Sequence, residues 1–155
     1  MPKYLPFILS LLIISCSDSP SADSKKISVF DVPKLLTLHK KEVLEALGTP
    51  AATDSLSDIQ RSRGIEETLD FRRGPYELSL DFTPSTGEVL RGFISLSNQA
   101  NVDAYGLDSL RAAGNLDSLP ANYIAKPQDV QENGKTVYTG IHIRSLNEEG
   151  KLIKK

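Results

Sequence analysis

The residue types that most often carry chemistry are scarce in this chain of 155 residues. There is one cysteine, Cys16, and there are two histidines, His39 and His142. A thiol can pair in a disulfide, ligate a metal or carry a covalent group, but without a second cysteine the chain forms no internal disulfide. The histidines are not part of a Glu-x-x-His, Cys-x-x-Cys or paired-histidine pattern, so we expect no metal site.

Motifs for other common chemistry are also missing from the sequence. It has no Gly-x-Ser-x-Gly elbow and no glycine-rich phosphate loop, so we expect no catalytic residues and no cofactor. The formal net charge is −2 and no basic run dominates, which argues against nucleic acid as a partner.

Two groups of polar residues are candidates for contact with a partner. The first is a run of arginines interspersed with carboxylates, and the second is one face of a predicted hairpin strand, with a gap at Gly140. The candidate contacts are Arg61, Arg63, Arg72 and Arg73 in the first group, and Tyr138, His142 and Arg144 in the second. A solvated mixed-charge loop and a solvent-facing sheet surface are the alternative interpretations.

The first residues have the pattern of a secretory signal. Segment 1–15 holds a cation at Lys3 and an apolar run, 5–14, that is too short for the about 20 residues of a membrane-spanning helix. The junction Ile13-Ile14-Ser15-Cys16 resembles the lipobox of bacterial lipoproteins. The resemblance implies diacylglycerol on the Cys16 sulfur, cleavage before Cys16 and acylation of the new amine. The alternatives are an ordinary signal peptide or a buried N-terminal strand, with a coincidental cysteine.

The rest of the chain is expected to form a tether and one domain. Residues 16–26 lack apolar periodicity, so we expect the lipidated cysteine to lead into a flexible tether. Residues 27–155 are enough for a single α+β domain in which short helices pack on an antiparallel sheet.

Apolar periodicity predicts the elements of the first half. Helices are expected over Asp31–Leu36, capped by Asp31, and over His39–Leu47, closed by Gly48. Ala51–Arg63 is periodic only weakly and is expected to be a loop. Alternation predicts a three-stranded meander; its strands are Glu67–Arg72, Tyr76–Phe82 and Val89–Leu96. In the last strand, Leu90, Ile94 and Leu96 are expected to face the core.

The second half is expected to repeat this pattern in outline. A helix is predicted over Asp103–Ala113, followed by a short strand, a hairpin and a final strand; these are Tyr123–Ala125, the turn Asn133-Gly134 leading into Val137–Ser145, and Lys151–Lys154. The turn that ends at Gly150 matches in kind the one that ends at Gly87. Two interpretations follow: the halves 31–97 and 102–155 are related copies, or the chain is an α+β unit without an internal repeat.

One segment suggests a known fold. Lys40-Lys41-Glu42-Val43-Leu44-Glu45-Ala46-Leu47-Gly48-Thr49-Pro50 is similar to the K-x-E-V-x-x-x-L-G-x-P helix end of small lipoproteins of the outer-membrane β-barrel assembly type. The β-lactamase inhibitor protein shares that fold. The resemblance covers residues 31–96, and a second copy would cover 102–154. It implies helices on an antiparallel sheet, but it assigns no site residue.

These observations predict an envelope lipoprotein with a non-catalytic, protein-binding or scaffolding role. Its expected partners are the lipid bilayer, through acylated Cys16, and an unidentified envelope protein. Ser17 after the cysteine favours the outer membrane over the inner one in some bacteria. The alternatives are an inhibitor-like module that docks on an envelope enzyme, and a hydrolase without a recognisable motif.

Overall fold

Six strands of the chain form one antiparallel sheet. The computed structural model describes residues 28–146 except 55, 85, 99–101 and 103. Within that part, the strand order is β1-β2-β3-β4-β6-β5, and each neighbouring pair is antiparallel. The strands are β1 Ala52–Asp54, β2 Glu67–Arg73, β3 Tyr76–Phe82, β4 Val89–Leu96, β5 Tyr123–Glu132 and β6 Lys135–Ser145.

The helices are short and precede or connect the strands. They are α1 Val32–Leu35, α2 Lys40–Leu47, α3 Asp58–Ser62 and α4 Ala104–Ala113, with a 3-10 turn at Leu116–Ser118. Together with the antiparallel sheet they confirm the predicted α+β class. Asp31 precedes α1, but its side chain makes no capping hydrogen bond, contrary to the prediction; its carboxylate accepts a hydrogen bond from the Asn115 amide at 3.1 Å.

The alternation along the strands gives the sheet an apolar inner face. Cross-strand pairs on this face include Phe71 with Leu78 and Ile94 with Ile141. Three helices contribute further buried side chains to this core; these are Val32 and Leu35 of α1, Val43 of α2, and Leu110 and Ala113 of α4. Burial of this apolar area, at roughly 25 cal/mol per Å², is the main stabilisation available to the domain.

Two irregularities change which residues reach the core. Between Asp81 and Phe82 the β3–β4 register shifts, so that Val89 is buried in the core instead of the predicted Leu90. Between Gln128 and Asp129 the β5–β6 register shifts too, so that Tyr138 packs against the core. An extra residue in one strand reverses the faces of the residues beyond it.

Several other predictions can be compared with the structure. The Asn133-Gly134 turn is confirmed, with φ of 51° and 74°, as a type I′ hairpin requires. The expectation of a loop over Ala51–Arg63 is wrong, because β1 and α3 lie there. Strand β5 continues to Glu132, well past the predicted Ala125. Segment 1–27 and the predicted strand Lys151–Lys154 lie outside the described residues. The turn that ends at Gly150, which the sequence matches to the turn at Gly87, lies outside them as well.

Candidate functional site

The outer face of the sheet, opposite the core, is polar and partly covered. The residues that alternate with the core positions include Thr68 and Asp70 on β2, and these are only 5% and 7% exposed. Gln60, Arg63 and Ile65, from the segment that leads into β2, line one cleft with Thr68, so this segment lies over part of the outer face. Ile65 at its end is buried, yet it lies apart from the main core cluster.

The side chains of α3 are positioned by local capping. Ser57 precedes the helix, and its Oγ accepts a hydrogen bond from the Gln60 backbone N–H at 3.3 Å. The Gln60 side-chain oxygen accepts in return from the Ser57 backbone N–H at 2.9 Å. This reciprocal pair satisfies two of the unpaired donors at a helix start, which explains why such a short helix forms here.

A cleft of about 360 Å³ lies between this segment and the outer face. Its sheet side includes Thr68, Ser79, Asp81, Arg91, Phe93, Gln128, His142 and Arg144, and its other side includes Asp54, Gln60, Arg63 and Ile65. The cleft volume falls within the range of small-ligand sites in proteins. A shallower depression of about 490 Å³, which includes Arg61, adjoins it along Asp54 and Ile65.

The two cationic strand positions of the cleft are directly opposite each other. Arg91 on β4 pairs in register with Arg144 on β6. The Arg91 Nε lies 3.8 Å from Asp81 Oδ2, and the Arg91 side chain is only 12% exposed. The Asp81 carboxylate also accepts a hydrogen bond from the Thr68 hydroxyl at 2.7 Å. Among the described residues, the buried Nε of Arg144 has no hydrogen-bond partner.

An aromatic pair lies beside these arginines. The rings of Phe93 and His142 have centroids 4.6 Å apart and are tilted by 41°. Gly140, two residues before His142 on β6, makes room for the Phe93 ring, because a Cβ at Gly140 would lie 2.5 Å from Phe93 Cζ. The gap that the sequence shows at Gly140 is therefore filled by an aromatic side chain from the neighbouring strand.

Burial and neighbouring charges shift the ionisation of three groups here. Burial, reinforced by Arg144 and Arg91, lowers the pKa of His142 to about 4, so its ring is neutral at pH 7. Burial raises the pKa of Asp81, against the opposing effects of the Thr68 hydroxyl and Arg91. Burial also raises the pKa of Asp70, which the Ser79 hydroxyl partly opposes and nearby carboxylates reinforce.

The structure separates the four arginines that the sequence groups together. Arg63 lines the cleft, whereas Arg61 donates to the Leu56 carbonyl at 2.7 Å. Arg72 pairs with Glu77 at 2.7 Å. Arg73 lies on the side of the helices, where it donates to the Val29 and Ala46 carbonyls and its guanidinium lies 5.6 Å from the centroid of the Phe30 ring.

The second predicted group is divided as well. His142 and Arg144 line the cleft together, but Tyr138 faces the core because of the bulge in the β5–β6 pair. The other histidine, His39, is the N-cap residue of α2, and its Nδ1 lies 2.9 Å from the Thr86 carbonyl oxygen. Cys16 lies outside the described residues.

Sequence reasoning missed Arg91, Asp81 and Phe93 as members of the site. The available signal was Phe93, an aromatic residue that shares a face of β4 with the polar residues two positions before and after it, Arg91 and Ser95.

In the described part of the chain, no three His, Cys, Asp or Glu residues cluster so as to hold a metal ion. No helix of the described residues is long and apolar enough to cross a membrane.

Comparison of the chain with protein-family models, with curated proteins and with solved structures finds no match. The function must therefore be inferred from the chemistry of the cleft and from the N-terminal motif.

Proposed function

We propose that this chain is an envelope lipoprotein, anchored through acylated Cys16, whose domain binds a protein partner at the outer-face cleft. The observation that carries the binding role is the asymmetry of the sheet. Helices close its inner face, whereas its outer face holds an open cleft with three arginines, two glutamines and an aromatic pair. The junction Ile13-Ile14-Ser15-Cys16 supports the anchor and the envelope location. Ser17 supports the outer membrane as the destination.

The cleft is better suited to recognition than to catalysis. A general base works best when its pKa is near the working pH, and the pKa of His142 is lowered to about 4. Ser79 is a poor nucleophile partner for His142, because β4 lies between their strands. Neighbouring strands are about 4.8 Å apart, so the two backbones are separated by roughly 10 Å.

The anchor is tested by replacing Cys16 with serine in cells fed a radiolabelled fatty acid. Ser17→Ala is the matched control because it leaves the thiol in place. We expect Cys16→Ser to abolish labelling and to accumulate the unprocessed precursor, whereas Ser17→Ala is labelled and cleaved normally. Labelling of the Cys16→Ser variant would contradict the anchor.

The binding face is tested by photo-crosslinking in intact cells. A photoreactive amino acid replaces Gln128, an exposed residue at the cleft, or Glu45, an exposed residue of α2 on the other side of the domain. We expect a discrete protein adduct from position 128 and none from position 45. Adducts from position 45 alone would place the partner on the helices and contradict the proposal. If the crosslinked protein is an enzyme that loses activity in the adduct, the inhibitor-like role is favoured over scaffolding.

A further inference from the structure

The opposed arginines on β4 and β6 are unfavourable for the free domain. Arg91 and Arg144 are register partners, and directly opposite side chains have Cβ atoms only about 4.5–5.5 Å apart. Like charges at that separation destabilise a strand pair. Asp81 lies near Arg91, but within the described residues no carboxylate forms a salt bridge with Arg144. A buried guanidinium nitrogen without a partner is rare in folded proteins and requires an explanation.

The surroundings of Arg144 are those of an anion site. His142 on the same strand is neutral at pH 7, so it adds no further positive charge beside Arg144. Arg63 adds a third guanidinium from the segment that faces the sheet across the cleft. Guanidinium groups bind planar carboxylates through two parallel hydrogen bonds, which suits a site with several arginines.

The balance of charge in the cleft favours a singly charged ligand group. Its lining carries three arginines, and two aspartates, Asp54 and Asp81, oppose them. The remaining excess of one positive charge matches one carboxylate, whereas a phosphate dianion would meet greater repulsion from the aspartates.

The remaining lining fits a peptide that carries this carboxylate. Gln60 and Gln128 lie on opposite sides of the cleft. The Gln60 oxygen accepts from Ser57, which leaves its NH₂ group to donate to a peptide carbonyl, whereas the Gln128 amide can both donate and accept. The rings of Phe93 and His142 offer an apolar surface for the methylene groups of an acidic side chain.

We propose that the cleft binds a carboxylate of an acidic segment in the protein partner, held by the guanidinium groups of Arg144, Arg91 and Arg63. This inference rests on the proposed function and specifies the chemistry that the partner presents. Binding would give Arg144 the counter-charge that the described residues do not supply, so we assign the residue as a ligand contact and not a structural one.

The test uses the mature lipoprotein in mild detergent and three probes. These are a capped peptide of alternating glycine and glutamate, its glutamine counterpart, and inorganic phosphate. Binding is followed by NMR through the Arg Nε–H signals and the His142 ring. We expect saturable shifts of the Arg144 and His142 signals with the glutamate peptide, none with the glutamine peptide, and weaker binding of phosphate. Equal binding of both peptides, or tighter binding of phosphate, would overturn the proposal.

Two variants separate a ligand contact from a structural role. Arg144→Gln should weaken binding of the glutamate peptide by roughly tenfold or more, because a charged hydrogen-bonding partner is lost. Its melting temperature without peptide should equal or exceed that of the wild type. Arg72→Gln is the matched control, since Arg72 lies on the outer face but pairs with Glu77 outside the cleft lining. Unchanged affinity in Arg144→Gln, or equal loss in both variants, would refute the assignment.

The outcomes distinguish this inference from the function on which it rests. If the peptide fails to bind while position 128 still crosslinks a protein in cells, the cleft binds a partner through other chemistry and the carboxylate proposal is wrong. If the peptide binds but position 128 crosslinks nothing, the carboxylate site stands and the envelope partner is wrong.

Discussion

Replacing Gly140 with alanine would insert a methyl group at the point where Phe93 crosses β6. The added Cβ would lie 2.5 Å from the Ile94 carbonyl oxygen and 2.5 Å from Phe93 Cζ. The Ile94 oxygen is part of the β4 backbone and cannot retreat without disturbing its pairing with β6. The Phe93 ring must therefore move as well, and its contact with His142 at 4.6 Å is lost or weakened.

The expected cost is the balance of two effects. Forcing a methyl group into a filled space typically costs about 1–3 kcal/mol. Alanine is about 0.5–1 kcal/mol better than glycine in the interior of a strand. Because the closest contacts include backbone, we expect Gly140→Ala to lower the free energy of unfolding by about 1–2 kcal/mol.

Gly92 on the neighbouring strand is the matched control. A Cβ there would make ordinary contacts, 3.4 Å from Leu80 Cδ2 and 3.5 Å from Ile143 Cδ1. Gly92→Ala should therefore stay within about 0.5 kcal/mol of the wild type or exceed its stability. Guanidinium unfolding of the lipidated protein in mild detergent, followed by circular dichroism, measures both variants. A Gly140→Ala variant as stable as the wild type, or an equal loss in Gly92→Ala, would refute the packing account.

Three further predictions concern single side chains. Because the pKa of His142 falls from 6.5 to about 4 on folding, stability should decrease as the pH is lowered through that window. The whole pKa shift would correspond to about 3 kcal/mol of stability, but the ring is partly exposed, so we expect a loss of roughly 1–2 kcal/mol between pH 7 and pH 4. His142→Gln should not show this loss. Burial raises the pKa of Asp70, so its charge opposes folding at neutral pH. Asp70→Asn should therefore stabilise the domain at pH 7, and the gain should shrink below pH 3.8, where the carboxyl is protonated in the folded and the unfolded chain. Denaturant unfolding at pH 7 and below pH 3.8 measures this gain, and an equal gain at both would contradict the prediction. Arg73→Ala should lower the stability by about 1 kcal/mol, because it removes two hydrogen bonds to backbone carbonyls and a contact with the Phe30 ring. Arg72→Ala removes one exposed ion pair and should lower it by about 0.5 kcal/mol or less. Thermal melting measures both variants, and the reverse order would contradict this.

The central strands could be predicted from the sequence because both faces of the sheet leave a local signal. Tyr76–Phe82 alternates without interruption, and the structure forms β3 over the same residues. Helix α2 ends at Leu47 as predicted, since Gly48 takes the φ of 83° that glycine tolerates best. These features depend on neighbours a few positions away.

The segment over the outer face was missed because its apolar signal is weak. The α3 residue Ile59 is 63% exposed, so this helix presents no buried stripe. The capping pair Ser57 and Gln60 was the available indication of a helix start. Strand β5 was predicted too short because most of it is exposed, and Pro127 is tolerated there because β5 is an edge strand.

The candidate site could be predicted only in part, because it depends on long-range pairing. Alternation placed His142 and Arg144 on one face, as observed. Nothing local indicates that β4 pairs with β6, so the position of Arg91 opposite Arg144 could not be foreseen. Tyr138 was assigned to the same face because the bulge that reverses it leaves no mark in the sequence pattern.

Apart from the exposed Arg72, which pairs with Glu77, the charges of the outer face divide by strand, and this division bears on its role. Strands β2 and β3 contribute the carboxylates of Asp70 and Asp81, whereas β4 and β6 contribute the guanidinium groups of Arg91 and Arg144. Asp81 and Arg91 meet across the boundary at 3.8 Å, but burial leaves an Asp70 oxygen and the Arg144 Nε without hydrogen-bond partners among the described residues. Apolar residues of similar size at such positions often stabilise a fold. Stability alone therefore does not account for Arg144, and one variant can measure both consequences: Arg144→Gln should leave the free domain as stable as before, or more so, while it loses affinity for the glutamate peptide.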